Sequence, residues 1–189
     1  IVWYEPDVIV SFDKVDEKGN PLANATLELL DKDGNVVDTW TTDKEAHVAI
    51  NLLKAGEQYT LKETKAPAGY TLANDISFIV EEKDLGPNEQ FVQKVTMQNT
   101  LTNLIVEKHD KDSGNVLEGA QFVIYDTHTM EVMKDYAGNE LKWTSKGMDQ
   151  FVGVPAGDYI LKETMAPDGY QLAKDLAFTL TENRSEERR

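Results

Sequence analysis

The chain has 189 residues, 40% apolar and 8% aromatic, enough for two small domains of roughly 90–100 residues with a core each. Its 34 acidic and 19 basic side chains leave a net charge of −15, which repels phosphate backbones and anionic headgroups and sets nucleic acid aside as a partner. Cysteine is absent, which excludes disulfide staples and thiolate metal sites, and no apolar run approaches the ~18 residues a membrane span needs.

The opening IVWYEP carries an acid where a signal peptide would carry a basic start, so residues 1–7 read as a leader or linker of a processed or excised segment. VIVSFDK, from Val8 to Lys14, alternates with period two and predicts a strand. Val8, Val10 and Phe12 share one face with Lys14, while Ser11 and Asp13 lie opposite. The GN and DGN stretches that follow are turn chemistry. Asp31 to Asn35 looks like the start of a calcium loop, but Thr42 stands where an EF-hand needs its twelfth-position Glu, so the stretch predicts a hairpin turn. In YTLKETKAPAGY, from Tyr59 to Tyr70, the apolar Tyr59 and Leu61 share their side with Glu63, and Pro67 with Gly69 sets a fixed turn. SFIVEE predicts a further strand, and in FVQKVTMQN, from Phe91 to Asn99, Val95 and Met97 face the same way as Asn99.

The chain then repeats itself. YILKETMAPDGY, from Tyr159 to Tyr170, keeps nine of twelve positions of the earlier segment at a spacing of one hundred. FDKVDEKGNPLANATLELLD (Phe12 to Asp31) parallels VEKHDKDSGNVLEGAQFVIYD (Val106 to Asp126), and YTLAND (Tyr70 to Asp75) parallels YQLAKD (Tyr170 to Asp175). A unit of about 95–100 residues exceeds solenoid periods and predicts two tandem domains, 8–102 and 103–189, joined near Thr100 to Asn103 without a Pro/Gly-rich linker. Many short strands with frequent turns, and no amphipathic helix of three turns, predict an all-β chain of two β-sandwiches.

Parity therefore aims Lys14, Glu63 and Asn99 into one apolar interior. Burial lowers a lysine pKa and raises that of a carboxylic acid, bringing the two toward proton exchange, and a neutral lysine amine is a nucleophile. Beside the asparagine carboxamide, with the glutamate carrying the proton, it can displace ammonia and leave an amide between two side chains. Orientation supplies ~7–11 kcal/mol toward such a step. A satisfied polar triad at strand ends is the other reading of the same residues.

These segments resemble the CnaB-type repeat, SpaA-like and prealbumin-like, of Gram-positive surface proteins and pilins. YTLKETKAPAGY and YILKETMAPDGY are similar to the pilin E-box and match each of its fixed positions. The resemblance implies two Ig-like, prealbumin-like sandwiches in a wall-anchored extracellular adhesin or pilin. It implies a Lys14–Asn99 isopeptide bond promoted by Glu63, with Glu163 as the matching carboxyl of the second domain. No cofactor, metal or turnover catalysis is implied, and the expected partners are neighbouring domains of the same surface protein.

The second domain departs from the pattern at its end. Lys108, on the parity of Leu104 and Val106, supplies the amine, but an acceptor at the same interval from Tyr170 as Asn99 keeps from Tyr70 falls at position 199, beyond Arg189. Asn183 comes too early to replace it. A sequence cut short of its end, a further tail, or an open groove that accepts a donor strand each account for this. His47, His109 and His128 lack metal-ligand spacing, and Ser11, Ser77, Ser113, Ser145 and Ser185 lack nucleophile context. Trp40 and Trp143 read as core or inter-strand fillers. The rival function is a module that binds a host protein or glycan directly.

Overall fold

The computed structural model describes residues 5–183; part of the 1–7 segment and Ser185 lie outside the described residues. The chain forms two compact units, one of Ile1–Pro67 with Leu72–Thr100, the other of Ala68–Thr71 with Leu101–Arg189. Every regular element among the described residues is a strand. None of them is a helix long and apolar enough to cross a membrane.

The first unit pairs two sheets. β1 (Ile9–Val15) lies between β4 (His47–Ile50), antiparallel to it, and β7 (Val92–Gln98), parallel to it. Facing them, β2 (Thr26–Leu30), β3 (Val36–Thr41), β5 (Gln58–Lys65) and β6 (Ile76–Ile79) form an antiparallel sheet in the order β3-β2-β5-β6. The predicted alternation is realised on β5, where Tyr59, Leu61 and Glu63 are buried, and on β7, where Val95 and Met97 are buried between exposed neighbours. On the central β1 the opposite face is covered as well, so Ser11 is buried too.

Val10, Phe12, Leu27, Leu29, Leu61 and Met97 meet between the sheets. Each such side chain contributes roughly 1.5–3 kcal/mol by leaving water. Trp40 is half-buried against this core, 5.4 Å from the Phe12 ring centre and stacked on His47 at 4.0 Å. Asp31 closes the β2–β3 hairpin as the turn chemistry predicts. Its Oδ1 accepts from the backbone N–H of Asp33 (2.9 Å) and Asn35 (2.8 Å), and Gly34 takes φ +83° where a side chain would be strained.

The second unit repeats the larger sheet as β10-β9-β12-β13, from β9 (Gln121–Asp126), β10 (Lys142–Thr144), β12 (Gly157–Met165) and β13 (Leu176–Leu180). Its other sheet holds β8 (Asn103–Glu107) and β11 (Met148–Val152), antiparallel. β8 corresponds to β1, yet among the described residues it pairs on one edge only. Leu104 and Val106 are accordingly half-buried, where Val10 and Phe12 of the first unit are buried. The core gathers Ile124, Leu141, Val154 and Tyr159, with Leu104, Trp143 and Phe151 packed against it.

Candidate functional site

In the first unit three strands deliver three polar side chains to one point. Lys14 comes from β1 two residues after Phe12, Glu63 from β5 two after Leu61, and Asn99 directly follows β7, two after Met97. The parallel pairing of β1 with β7 sets Lys14 opposite Met97, and the Asn99 N–H extends the ladder by donating to the Val15 carbonyl at 3.0 Å. Lys14, Glu63 and Asn99 are 5%, 4% and 1% exposed. Lys14 Nζ lies 3.0 Å from Glu63 Oε1. Asn99 Nδ2 donates to the same carboxylate, at 3.1 Å to Oε1 and 2.9 Å to Oε2.

One carboxylate thus touches both the amine and the carboxamide. Burial is the larger influence on Lys14 and draws its amine below the ordinary lysine value, while the charge and hydrogen bond of Glu63 push the other way. An amine poised in this manner gives up a proton to its neighbour at less cost than a solvated lysine does.

Two supports for Glu63 have no counterpart in the sequence reading. β5 carries a bulge directly after the glutamate: Leu27 pairs with Glu63 and Thr26 with Lys65, leaving Thr64 as the extra residue, its hydroxyl donating to the Thr26 carbonyl at 3.3 Å. A bulge of this kind bends a strand and re-aims its side chains. The second support is the Ala73 N–H, which donates to Glu63 Oε2 at 2.6 Å. The signal for both was present, because Glu-Thr and the later Leu-Ala recur at the same offsets in the two copies.

The second unit reproduces these supports. Phe122 pairs with Glu163 and Gln121 with Met165, which makes Thr164 the bulged residue, and its hydroxyl reaches the Gln121 carbonyl at 3.3 Å. Ala173 N–H donates to Glu163 Oε2 at 2.6 Å. Lys108, one residue past β8, places Nζ 3.4 Å from Glu163 Oε1. The lysine side chain is 18% exposed and that of the glutamate 1%. Glu163 Oε1 accepts no hydrogen bond among the described residues. Asn183 is exposed to solvent.

The other candidates lie apart. His47 Nε2 contacts Asp38 Oδ2 at 2.7 Å, and His109 bridges the Gly114 carbonyl and Glu107 Oε2, which together raise its pKa above the usual histidine value. Ser145 is buried in a turn with the Gly147 N–H, and Ser113 closes the Asp110 loop. Among the described residues no group of three or more His, Cys, Asp or Glu is placed to hold a metal ion.

Comparison with known proteins fits this doubled architecture. The family of SpaA prealbumin-like fold domains matches residues 8–99 and again 102–188. The chain belongs to that family. No curated protein matches it by sequence. Among solved structures it is similar to the Bacillus anthracis TIE protein, with 28% identity and a TM-score of 0.53 over 94% of this chain and 32% of that one. A Streptococcal ancillary pilin aligns with 24% identity and a TM-score of 0.43, covering 92% and 58% of the two chains. The shaft pilin SpaA of Lactobacillus rhamnosus GG, as its D295N mutant, aligns at 18% identity and TM-score 0.44, covering 94% and 95%. The chain therefore spans about a third of the first of these proteins and 58% of the second.

Proposed function

We propose that the chain is a load-bearing stalk segment of an extracellular, wall-attached protein of a Gram-positive bacterium, an adhesin or pilin, and that its first domain welds itself with an isopeptide bond between Lys14 and Asn99. The observation that carries this reading is the Glu63 carboxylate, buried and within hydrogen-bonding distance of both Lys14 Nζ and Asn99 Nδ2.

The chemistry balances with these three residues. Glu63 takes a proton from the Lys14 ammonium, and the neutral amine attacks Cγ of Asn99. The new C–N bond forms, and Glu63 delivers its proton to Nδ2, the atom already hydrogen-bonded to it. The surplus proton of the added nitrogen passes through the same carboxylate to the departing ammonia, which is released as ammonium. The Cγ–Nδ2 bond breaks, ammonia leaves and an amide remains. Nothing is oxidised or reduced, and the product, unlike a disulfide, cannot be reduced by thiols. The event occurs once per molecule and is not turnover catalysis.

A bond here closes a loop of 85 residues, contributing about 4–5 kcal/mol by the chain-entropy argument used for disulfides. Its mechanical effect is larger. Tension entering along β1 crosses from Lys14 to Asn99, next to the last strand, so the residues between them carry no load.

Intact mass measurement decides the matter. We expect the purified chain to weigh ~17 Da less than its sequence, one ammonia, and Lys14→Ala to restore the full mass. A wild-type chain of full mass would refute the proposal.

A further inference from the structure

The larger sheet has the same four-strand order in both units, yet its outer face differs between them. On that face lie the side chains that alternate with the core set. In the first unit Thr60 of β5 stands in register between Leu30 and Ser77, and the Thr60 and Ser77 hydroxyls are hydrogen-bonded at 3.1 Å. In the second, Ile160 of β12 stands between Tyr125 and Ala177, and Val132 bridges to Tyr125 on its far side. Val132, Tyr125, Ile160 and Ala177 thus form an apolar row across the sheet. In the next row Glu28, paired with Thr39 and Lys62, corresponds to Val123, paired with Lys142 and Lys162.

The charges differ as well. Outward along the strand the first unit presents Gln58, Thr60 and Lys62, the second Asp158, Ile160 and Lys162. A carboxylate and an ammonium therefore flank the apolar row on opposite sides, each two residues and roughly 7 Å along the strand from Ile160. Both are exposed, as is Ala177, while Tyr125 and Ile160 are half-buried. Asp158 Oδ1 accepts from the Thr179 hydroxyl at 2.6 Å, which orients the carboxylate, and Lys142 is engaged by Glu140 at 2.5 Å. A face ordered minus, apolar, plus is complementary to itself after a half-turn. Rotation about an axis lying over the apolar row sets β12 antiparallel to β12 of a second copy, row against row. Lys162 then meets Asp158 of the second copy, and Asp158 meets its Lys162.

We infer that the outer face of the larger sheet in the second unit is a contact surface between two copies of this chain, packed sheet on sheet about a two-fold axis. Each charge pair occurs twice, as an isologous interface requires, and aligned sheets keep their strand directions within about 30° of each other. Four strands and three rows cover roughly 300–400 Å² per copy, about half of the ~800 Å² of a standard interface. The pair is accordingly weak and forms where copies are crowded. The net charge of −15 opposes approach at long range, but at physiological salt it is screened beyond ~8 Å, whereas the Lys162–Asp158 pairs act at contact. The first unit, with Gln58, Thr60 and Ser77 at the matching positions, lacks both the acid and the apolar row. This contact is independent of the cross-link proposed for the first domain.

The test is sedimentation of the whole chain from roughly 10 μM to 1 mM at about 0.15 M salt, where a reversible dimer should appear toward the upper end. Asp158→Lys and Lys162→Asp each set like charges together at two points and should weaken dimerisation at least about tenfold. The two exchanged together restore the complementarity and should return it to within about threefold of wild type. Asp158→Gln with Ile160→Thr and Ala177→Ser copies the face of the first unit, side chains this sheet already accepts there, and should abolish the dimer while the domain melts as in the wild type. A chain that stays monomeric throughout overturns the inference. Dimerisation untouched by the single reversals lies elsewhere and overturns it too, and a double exchange that fails to restore it refutes the two-fold arrangement. Poly-L-glutamate bound by a monomeric chain through Lys162 would give the face to an acidic partner and overturn the choice of occupant. Intact mass, which tests the cross-link, is blind to this contact, so the two proposals fail separately.

Discussion

Glu63 and Glu163 share a strand position, a bulge behind them and an alanine N–H at 2.6 Å, and each faces a lysine. They differ in what stands on the far side. Glu63 meets Asn99, and its lysine partner is 2% exposed at the side chain and 3.0 Å away; Glu163 has a lysine 18% exposed and 3.4 Å away. The glutamate and its supports thus belong to the larger antiparallel sheet and form without the third group. Close approach of the lysine accompanies a filled edge beside its strand, which seals the site from water. The acid is built by local structure, whereas the poised amine is a product of long-range strand pairing.

The sharpest way to break this comparison is to remove one partner from the complete site. Glu63→Ala and Lys14→Ala should each abolish the ~17 Da deficit and with it the roughly 4–5 kcal/mol of the covalent loop. Glu63→Ala also leaves the unreacted Lys14 amine buried without its partner, a further loss of up to about 3–5 kcal/mol. By calorimetry the loss of the covalent loop alone should lower the melting of the first unit by about 16–40 °C, at about 4–8 °C per kcal/mol for a domain of this size. A deficit that survives either substitution would mean the bond, if any, lies elsewhere. Glu163→Ala should do much less. Lys108 reaches water, so we expect a loss of about 1–3 kcal/mol confined to the second unit, and no change of mass beyond the substitution itself.

Much of this site was legible in the sequence because a strand has period two. Once Val10 and Phe12, Tyr59 and Leu61, or Val95 and Met97 are assigned to the core, the faces of Lys14, Glu63 and Asn99 follow. Parity could not say which strands are neighbours. The parallel contact of β1 with β7 joins segments some eighty residues apart, and pairing at that range is set by the packing of the whole domain. Nor could parity find the Ala73 and Ala173 amides, since a backbone donor has no side-chain signature. The Thr64 and Thr164 bulges break the very alternation on which the reading depended.

A smaller effect sharpens the role of Lys14. Asn99→Ala leaves its amine unreacted beside Glu63, with a folded-state pKa held below the unfolded value near 10.5. Below both values the lysine is charged in either state. As pH rises through the lowered folded pKa toward 10.5, the unfolded chain keeps a proton that the folded one has lost, so stability rises over that window. The proposed reaction replaces this amine with an amide in the wild-type domain and so removes this term. Denaturant unfolding across the alkaline range should therefore show the variant regaining part of its deficit relative to wild type. Parallel curves would indicate that burial does not perturb the amine.

The smallest effect concerns the bulge. Thr64→Val and Thr164→Val keep the branched shape and delete only an exposed hydroxyl that donates at 3.3 Å, so each should cost about 0.5 kcal/mol of stability. Their consequences diverge in kinetics. If the hydroxyl helps aim Glu63, a comparable loss in the reacting geometry slows ammonia release about twofold, at 1.36 kcal/mol per factor of ten. That rate is accessible from the mass of the chain sampled through a cell-free synthesis reaction. Thr164→Val, beside a glutamate that meets no asparagine side chain among the described residues, should leave it unchanged. Equal slowing by both would trace the effect to general stability, whereas slowing by Thr64→Val alone ties the bulge to the orientation of the acid.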